Sequence, residues 1–157
     1  AASRKTLYIT NSYFAPGRNF IELLTGTARR GVDVRVLTAG PRTDVQTVRF
    51  AGRAWYETLL GAGVRVFEWQ PTNLHAKTFV IDGMWTTIGS MNFDNRSLAL
   101  NDESTLMVLD SALGQQMDRI FLADLHDSEE ITVGRFRQRA WWQRMAERTA
   151  SLFTRLL

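Results

Sequence analysis

Cysteine is absent from this 157-residue chain, and histidine and lysine occur only twice each, against seventeen arginines. Without thiols there are neither disulfides nor thiolate metal sites, and the redox compartment leaves no mark on the composition. The two histidines, His75 and His126, are 51 positions apart, so a zinc site has little support, and no metal or cofactor is expected. No run of about 18 apolar residues occurs, so no membrane-crossing helix is expected within this stretch. Internal repeats and low-complexity tracts are missing as well. What remains, 45% hydrophobic and 22% charged residues, is the composition of one folded domain with a real core. The opening residues Ala1-Ala2-Ser3-Arg4-Lys5 lead almost at once into a strand-like run, which reads as a cut point or the start of an internal domain as much as a natural start.

The net charge of +3 is unevenly placed. Residues 134–157 hold Arg135, Arg137, Arg139, Arg144, Arg148 and Arg155 against one acid, Glu147, a net +5 that leaves residues 1–133 at −2. A basic coat on the body is therefore not indicated, and nucleic acid is not an expected partner.

The pattern alternates. Thr6 to Thr10 reads as a buried strand. Asn19 to Arg30 has Phe20, Leu23, Leu24 and Ala28 at helical spacing and is stopped by Gly31. Val32 to Leu37 is strand-like. Asp44 is a candidate N-cap for a helix through Leu60, with Val45, Val48, Ala51, Trp55 and Leu59 on one stripe. Val64 to Trp69 is again strand-like. This β-α-β-α-β order favours a largely parallel sheet with helices packed on it. Next come a strand from Ala76 to Ile81, the turn signal Asp82-Gly83 and a strand from Trp85 to Ile88, which read as a hairpin. Thr105 to Leu109 is another strand. Asp110 or Ser111 caps a helix to about His126, Asp127 to Glu130 reads as an acidic break, and a last helix covers roughly Phe136 to Leu156. Two regions result, a catalytic body at 1–133 and a basic amphipathic helix at 134–157, which either belongs to the same domain or contacts a membrane or partner.

One segment concentrates chemistry: His75-x-Lys77, four residues, Asp82, six residues, then Gly89-Ser90-x-Asn92. Residues two apart on a strand share a face, so His75 and Lys77 are neighbours, and Ser90 and Asn92 are too if the chain stays extended there. The hairpin would bring both pairs to one end of the sheet. An imidazole nitrogen can attack phosphorus and divide one hard displacement into two easier ones. Lys77 and Asn92 would donate to the non-bridging oxygens as charge builds, so that no metal is required. Asp82 is the weakest member: it precedes Gly83, has the opposite parity from His75, and reads at least as readily as a turn residue. Glu103 is a better partner for His75, since a carboxylate on one ring nitrogen fixes the tautomer. His126 reads as a surface or capping residue, Trp141-Trp142 as packing, and Tyr13, Phe14 and Pro16 as a strand-to-loop exit.

The pattern from His75 to Asn92 resembles that of the phospholipase D superfamily. The runs Tyr13-Phe14-Ala15-Pro16, Asn92-Phe93-Asp94-Asn95-Arg96-Ser97, Leu100-Asn101-Asp102-Glu103 and Arg139-Ala140-Trp141-Trp142-Gln143-Arg144 are similar to the second, C-terminal half of bacterial cardiolipin synthases. The resemblance covers nearly the whole chain. It implies an α/β/α sandwich with a mixed sheet and a ping-pong mechanism. His75 would be the nucleophile or its acid/base partner, Lys77 and Asn92 would bind phosphate, Glu103 would orient the histidine, and Ser90 would be an accessory phosphate contact. It further implies phosphatidyl transfer between two phosphatidylglycerol molecules with release of glycerol, at a bacterial membrane surface. Such enzymes carry two motifs whose histidines share one site, whereas this chain has one. A second half, in a longer chain or in a twofold-related copy, is therefore expected, and a lone monomer should be inactive. The alternatives are a homodimeric phospholipase D-like phosphodiesterase, either a phospholipase or a nuclease, and a non-catalytic half making a membrane or dimer contact. In the tail, Trp142, Met145, Ala146, Phe153 and Leu156 recur at roughly helical spacing beside Arg144, Arg148 and Arg155. This suits either an anionic membrane interface or a helix that closes the core or covers the partner half.

Overall fold

Leu7, Tyr8 and Ile9 are apolar on both parities, and β1 (Thr6–Asn11) accordingly runs through the middle of the sheet with both faces covered. The computed structural model describes residues 3–93 and 101–152. After β1 come α1 (Arg18–Arg29), β2 (Asp33–Ala39), α2 (Gln46–Arg53), α3 (Tyr56–Gly61), β3 (Arg65–Trp69), β4 (Lys77–Ile81), β5 (Trp85–Gly89) and β6 (Thr105–Leu109). They are followed by α4 (Ser111–Asp124), a 3-10 turn (Leu125–Asp127), β7 (Ser128–Ile131), α5 (Val133–Arg137) and α6 (Trp141–Leu152). Residues 94–100 and 153–157, which include Asp94, Asn95, Arg96, Ser97, Leu100, Phe153, Arg155 and Leu156, lie outside the described residues.

The seven described strands form one sheet in the order β6-β5-β4-β1-β2-β3-β7. On one face Leu7, Ile9, Val34, Val36 and Val66 pack under α1, α3 and Phe136 of α5. On the other, Tyr8, Leu37 and Phe67 pack under α4, with the Tyr8 and Phe121 rings stacked at 4.8 Å. The α/β sandwich and mixed sheet agree with the segment pattern. The expected largely parallel pairing does not hold: β1–β2 and β2–β3 are parallel, and the other four pairings are antiparallel. The link between β3 and β4 explains this. A parallel return needs a crossover of a dozen or more residues. Residues 70–76 are too few, so β4 starts at the end of the sheet where β3 stops.

Three boundaries also differ. The helix expected from Asp44 to Leu60 is two helices with a bend at Ala54–Trp55, and Val45 occupies the cap position. Asp44 instead accepts the Tyr13 hydroxyl. The acidic break at 127–130 is largely β7, an edge strand whose Glu130 pairs with Arg65 at 2.8 Å. The last helix is split at 138–140 into α5 and α6. Its buried stripe centres on Glu147, which periodicity alone would turn outward, while Trp142 and Met145 are exposed.

Glu147 explains how α6 is held. It is 1% exposed and lies between Arg53 (3.1 Å) and Arg139 (2.8 Å). Arg53 continues to Glu68 at 2.5 Å, and Glu68 to Arg49 at 2.6 Å. The guanidinium of Arg139 lies 3.7 Å from the centroid of the Phe136 ring. This chain of charges ties α6 through α2 to β3. Beside it, Ala150 packs near Ala15, Val48 and Ala51. Because 147 meets 53 while 150 meets 48 and 51, α6 runs antiparallel to α2.

Asp82 lies at the other end of β4 from Lys77, so it is not part of the site. It has φ 54° and Gly83 has φ 63°, the signs required at the centre of a type I′ hairpin turn, closed by Met84 N–H on Ile81 O at 3.0 Å. Its carboxylate accepts the backbone N–H groups of Arg4, Lys5 and Thr6 at 2.7 to 3.2 Å and so clamps the start of β1. Burial alone would raise its pKa, but these N–H groups outweigh it and hold the carboxyl below its ordinary value of 3.8. A lowered folded-state pKa contributes stability above the unfolded value, and that contribution is lost as pH falls through the folded one. Asp82→Asn is therefore expected to lower stability at pH 7 by roughly 1–3 kcal/mol. It should also flatten part of the decline below about pH 4. Urea melts at a series of pH values measure both effects.

Candidate active site

The polar residues of the site gather where the sheet runs out of apolar ones. Lys77 on β4 pairs directly with Asn11 on β1, and on β2 and β3 the same row continues through Thr38 and Glu68. Cross-strand partners point to one face, so Lys77, Asn11, Thr38 and Glu68 form a polar row beyond the apolar Leu7, Ile9, Val34, Val36, Val66 and Phe79 of the same face. Asn11 and Glu68 are 0% and 2% exposed.

His75 lies just before β4 and is exposed, whereas Lys77 is buried. The Lys77 ammonium donates to the His75 carbonyl oxygen at 2.9 Å and stands 3.2 and 3.3 Å from the two ring nitrogens. The imidazole is thus accessible and fixed beside a cation, as the two-residue spacing implies. After β5 the chain is fastened to the end of β1. Asn11 donates to Met91 O at 3.2 Å and accepts from Phe93 N at 3.1 Å. The Ser12 hydroxyl donates to the Asn92 carboxamide oxygen at 3.2 Å, which identifies the NH2 as the other, donor end of the Asn92 amide. A shallow cleft lined by Lys77, Gly89, Met91 and Thr105 joins this segment to β6.

Ser90 and Glu103 meet across the end of the β5–β6 pair. The Ser90 hydroxyl donates to Glu103 Oε2 at 2.5 Å and accepts from Ser104 N at 3.0 Å. The Asn101 side chain reaches Glu103 Oε1 at 3.4 Å. Glu103, expected from the resemblance to orient His75, is here the acceptor that orients Ser90. The hairpin brings His75, Lys77, Ser90, Asn92 and Glu103 to one end of the sheet and takes Asp82 to the other. Among the described residues no group of three or more His, Cys, Asp or Glu side chains is placed to hold a metal ion.

Four residues of this neighbourhood carry no signal in the motif: Asn11, Ser12, Tyr13 and Asp44. The Tyr13 ring meets His75 edge-on at 6.1 Å between centroids, and the Lys77 ammonium lies 5.7 Å from its centroid. Its hydroxyl is held by both Asp44 carboxylate oxygens at 2.8 and 2.9 Å. Burial, with the hydrogen bond to Asp44, pushes the Tyr13 phenol up to about 12, and the same bond lowers Asp44. Gly52 permits the seating of α2 on this loop, because a Cβ there would lie 2.0 Å from Phe14 O. One clue to these residues existed: β1 turns polar at Thr10-Asn11-Ser12, and open α/β sheets bind ligands beyond the carboxyl ends of their strands. Tyr13→Ala is expected to lower kcat of a reaction in which His75 and Lys77 take part about 3- to 30-fold, the worth of a cation–π contact, with little change in KM. Tyr13→Phe should restore most of that loss. Equal losses in both variants would assign the effect to the Asp44 anchor instead.

A cavity of about 200 Å³ lies elsewhere, lined by Arg49, Arg53, Glu68, Arg135, Phe136 and Arg139 among others. Glu68 is three strands from Lys77, or about 14 Å at the usual strand spacing. Its guanidiniums face carboxylates, so this cavity belongs to the network that fastens α6.

The family model for the cardiolipin synthase, PLD-like domain matches residues 1–125. The chain is 34% identical over 157 residues to cardiolipin synthase A of Erwinia tasmaniensis, covering 99% of this chain and 32% of that protein. It is 35% identical over 157 residues to cardiolipin synthase 2 of Bacillus anthracis, covering 100% of this chain and 30% of that one. It thus spans about a third of the length of these curated relatives. Of solved structures, the phospholipase D family member Nuc from Salmonella typhimurium superposes with a TM-score of 0.71 at 16% identity, over 83% of this chain and 84% of that one. At that identity the likeness concerns the fold.

Proposed function

Since the chain belongs to the cardiolipin synthase PLD-like domain family, we propose that it is one catalytic half of a phosphatidyltransferase that makes cardiolipin from two molecules of phosphatidylglycerol. The observation that carries this reading is the exposed His75 held against the buried Lys77, with Asn92 and the Ser90–Glu103 pair at the same end of the sheet.

The donor phosphate is bound by Lys77 and the Asn92 amide on its non-bridging oxygens. A His75 ring nitrogen attacks phosphorus, the bond to the glycerol oxygen breaks, and the departing glycerol takes a proton from a general acid. A hydroxyl of the second phosphatidylglycerol then attacks the phosphohistidine and gives its proton to the same group. The P–N bond breaks, and His75 is regenerated. Fixed donors help most as negative charge grows on the phosphate oxygens. Ser90, oriented by Glu103, is an accessory donor.

The acid/base group is the histidine of a second motif-bearing half. His126 does not serve, since it sits in the turn beside β3, three strands from β4. The edge strand β6, with Leu106 and Met107 exposed near the Ser90–Glu103 end and Leu109 exposed at its other end, offers an apolar surface on which such a half can dock. The enzyme works at a bacterial membrane. No described helix is long and apolar enough to cross one.

The test combines this chain with a polypeptide carrying the first motif, on phosphatidylglycerol vesicles. The pair is expected to release glycerol and cardiolipin in equal amounts, and the proven monomer to release neither. Turnover by the monomer would overturn the half-site reading. Glycerol release with phosphatidic acid in place of cardiolipin would favour the second reading, a self-paired phosphodiesterase. That reading draws on the single motif in this chain, which a twofold-related copy could complete.

A further inference from the structure

The two uses open to the last helix fall on different faces of it. With 3.6 residues per turn, Glu147 and Ala150 point inward, and Gln143 and Ala146 lie half-buried beside them. The opposite stripe is Trp141 and Met145, with Trp142 on one flank and Arg148 and Arg144 on the other, where the two arginines line a cleft with Glu57. Trp141 is 77% exposed, Trp142 55% and Met145 54%. Arg137, Arg144 and Arg148 are exposed as well, and the Arg144 guanidinium turns back to the Arg137 carbonyl, which places its charge at the α5–α6 junction.

We propose that this outward face of α6, with the arginines at its start, is the docking surface for an anionic lipid bilayer, the helix lying in the plane of the headgroups. The proposal deepens the phosphatidyltransferase reading and rests on it for the choice of partner. Three observations select a bilayer. First, indoles and arginines mixed on one face are what the headgroup boundary accommodates: rings in the apolar margin, guanidiniums on phosphates. Second, the exposed charges on and beside this face, Arg137, Arg144 and Arg148, are cations with Glu57 as the neighbouring acid, while residues 1–133 sum to −2. An anionic surface attracts this face and repels the body. Third, size argues against a protein partner on this face alone. Twelve helical residues make a stripe about 18 Å long and some 10 Å wide, a few hundred Å² at most, against about 800 Å² per partner in a stable protein interface.

The face is not a loose tail. Glu147 fixes α6 to Arg53 and Arg139, and Ala150 packs against the group that includes Ala15 and Tyr13, next to the catalytic loop. From Trp141 to Ala150 is about 14 Å along the helix, so lipid contact and the catalytic end are joined by one rigid element. Docking through Trp141 and Met145 therefore orients the whole domain on the surface.

Vesicle flotation tests the proposal, with phosphatidylcholine vesicles containing or lacking phosphatidylserine, an anionic lipid other than the proposed substrate. The chain should bind the anionic vesicles, release them as salt is raised, and bind neutral ones weakly. Arg144→Gln with Arg148→Gln should weaken binding about 30-fold, at roughly 1 kcal/mol per cation near such a surface. Trp141→Ala with Trp142→Ala should weaken it at least about tenfold with unchanged circular dichroism, since both rings are already in water. In the assembled enzyme that tryptophan variant should still turn over a water-soluble short-chain diester at the wild-type rate. Unchanged vesicle binding in the tryptophan variant would overturn the proposal. So would a change in its native mass with vesicle binding retained, which would make the face a protein interface. Intact vesicle binding without any turnover by the wild-type assembly would count against the catalytic reading alone.

Discussion

His75→Ala is expected to lower phosphodiester turnover by the assembled enzyme at least about 10³-fold while leaving the fold intact. The size follows from what is removed. Without the imidazole no covalent intermediate forms, and the acceptor would have to displace the alkoxide directly, with Lys77 and Asn92 still holding the phosphate. Loss of a nucleophile typically leaves only the rate that binding and charge stabilisation support. Each factor of ten is about 1.4 kcal/mol of barrier, so a 10³-fold loss is about 4 kcal/mol. Stability should change by less than about 0.5 kcal/mol, because the ring is exposed and fills no part of the core. The measurement pairs kcat on phosphatidylglycerol vesicles with a urea melt. Quenching the wild type in alkali should recover phosphate on histidine, and the variant should yield none. A variant that keeps more than a tenth of the wild-type rate would remove His75 from the nucleophile's role and give it to the histidine of the partner half.

Glu147→Ala is expected to destabilise the domain by about 3–5 kcal/mol, the usual consequence of removing one member of a buried ion pair. The loss exceeds that of an ordinary surface pair because of what stays behind. The side chains of Arg53 and Arg139 are only 13% and 11% exposed and would lose the carboxylate between them. Arg53 is also one of the two cations on Glu68, so the disturbance reaches β3. Glu147→Gln, which keeps a hydrogen-bond acceptor, should lose about half as much. Replacing Arg53, Arg139 and Glu147 together by apolar residues of similar volume should lose less than Glu147→Ala, since the desolvation of all three charges disappears with them. The readout is the urea midpoint together with cleavage of residues 138–152 by trypsin, which should become rapid in Glu147→Ala. A loss below about 1 kcal/mol would show that the network is hydrated and that α6 is held by Ala150 and its neighbours instead.

The two predictions probe parts of the molecule that differ in how plainly the sequence announces them. His75 and Lys77 are legible because their relation is local: two residues apart on one strand, they share a face whatever else the chain does. The Asp82-Gly83 turn is legible for the same reason, and it carries β5 back to β4, so Ser90 and Asn92 arrive at the same end. The role of Asp82 was only half visible. Its three N–H partners come from residues 4 to 6, more than seventy positions away. Tyr13 reads as a loop exit because its partners, Asp44 on one side and His75 with Lys77 on the other, are brought to it by two different connections. Glu147 is the clearest miss. Helical periodicity sorts residues by polarity and sends a glutamate outward, yet two arginines from other elements make the inward position its most favourable one.

By itself the sequence determined the α/β class, the hairpin, the family and the residues able to attack and hold a phosphate. The class, the hairpin and the candidate phosphate-handling residues follow from local spacing and residue chemistry, and the family from the resemblance of the motif and its flanking runs. The tertiary structure decided which of those residues meet: that Glu103 holds Ser90, that Ser12 fixes the orientation of Asn92, that Asp82 clamps the first strand, and that the last helix docks by a buried carboxylate and leaves two tryptophans in water. Those outcomes depend on which strands become neighbours. The seven-residue link from β3 to β4 settles that by geometry, and no pattern of hydrophobicity within a single segment encodes it.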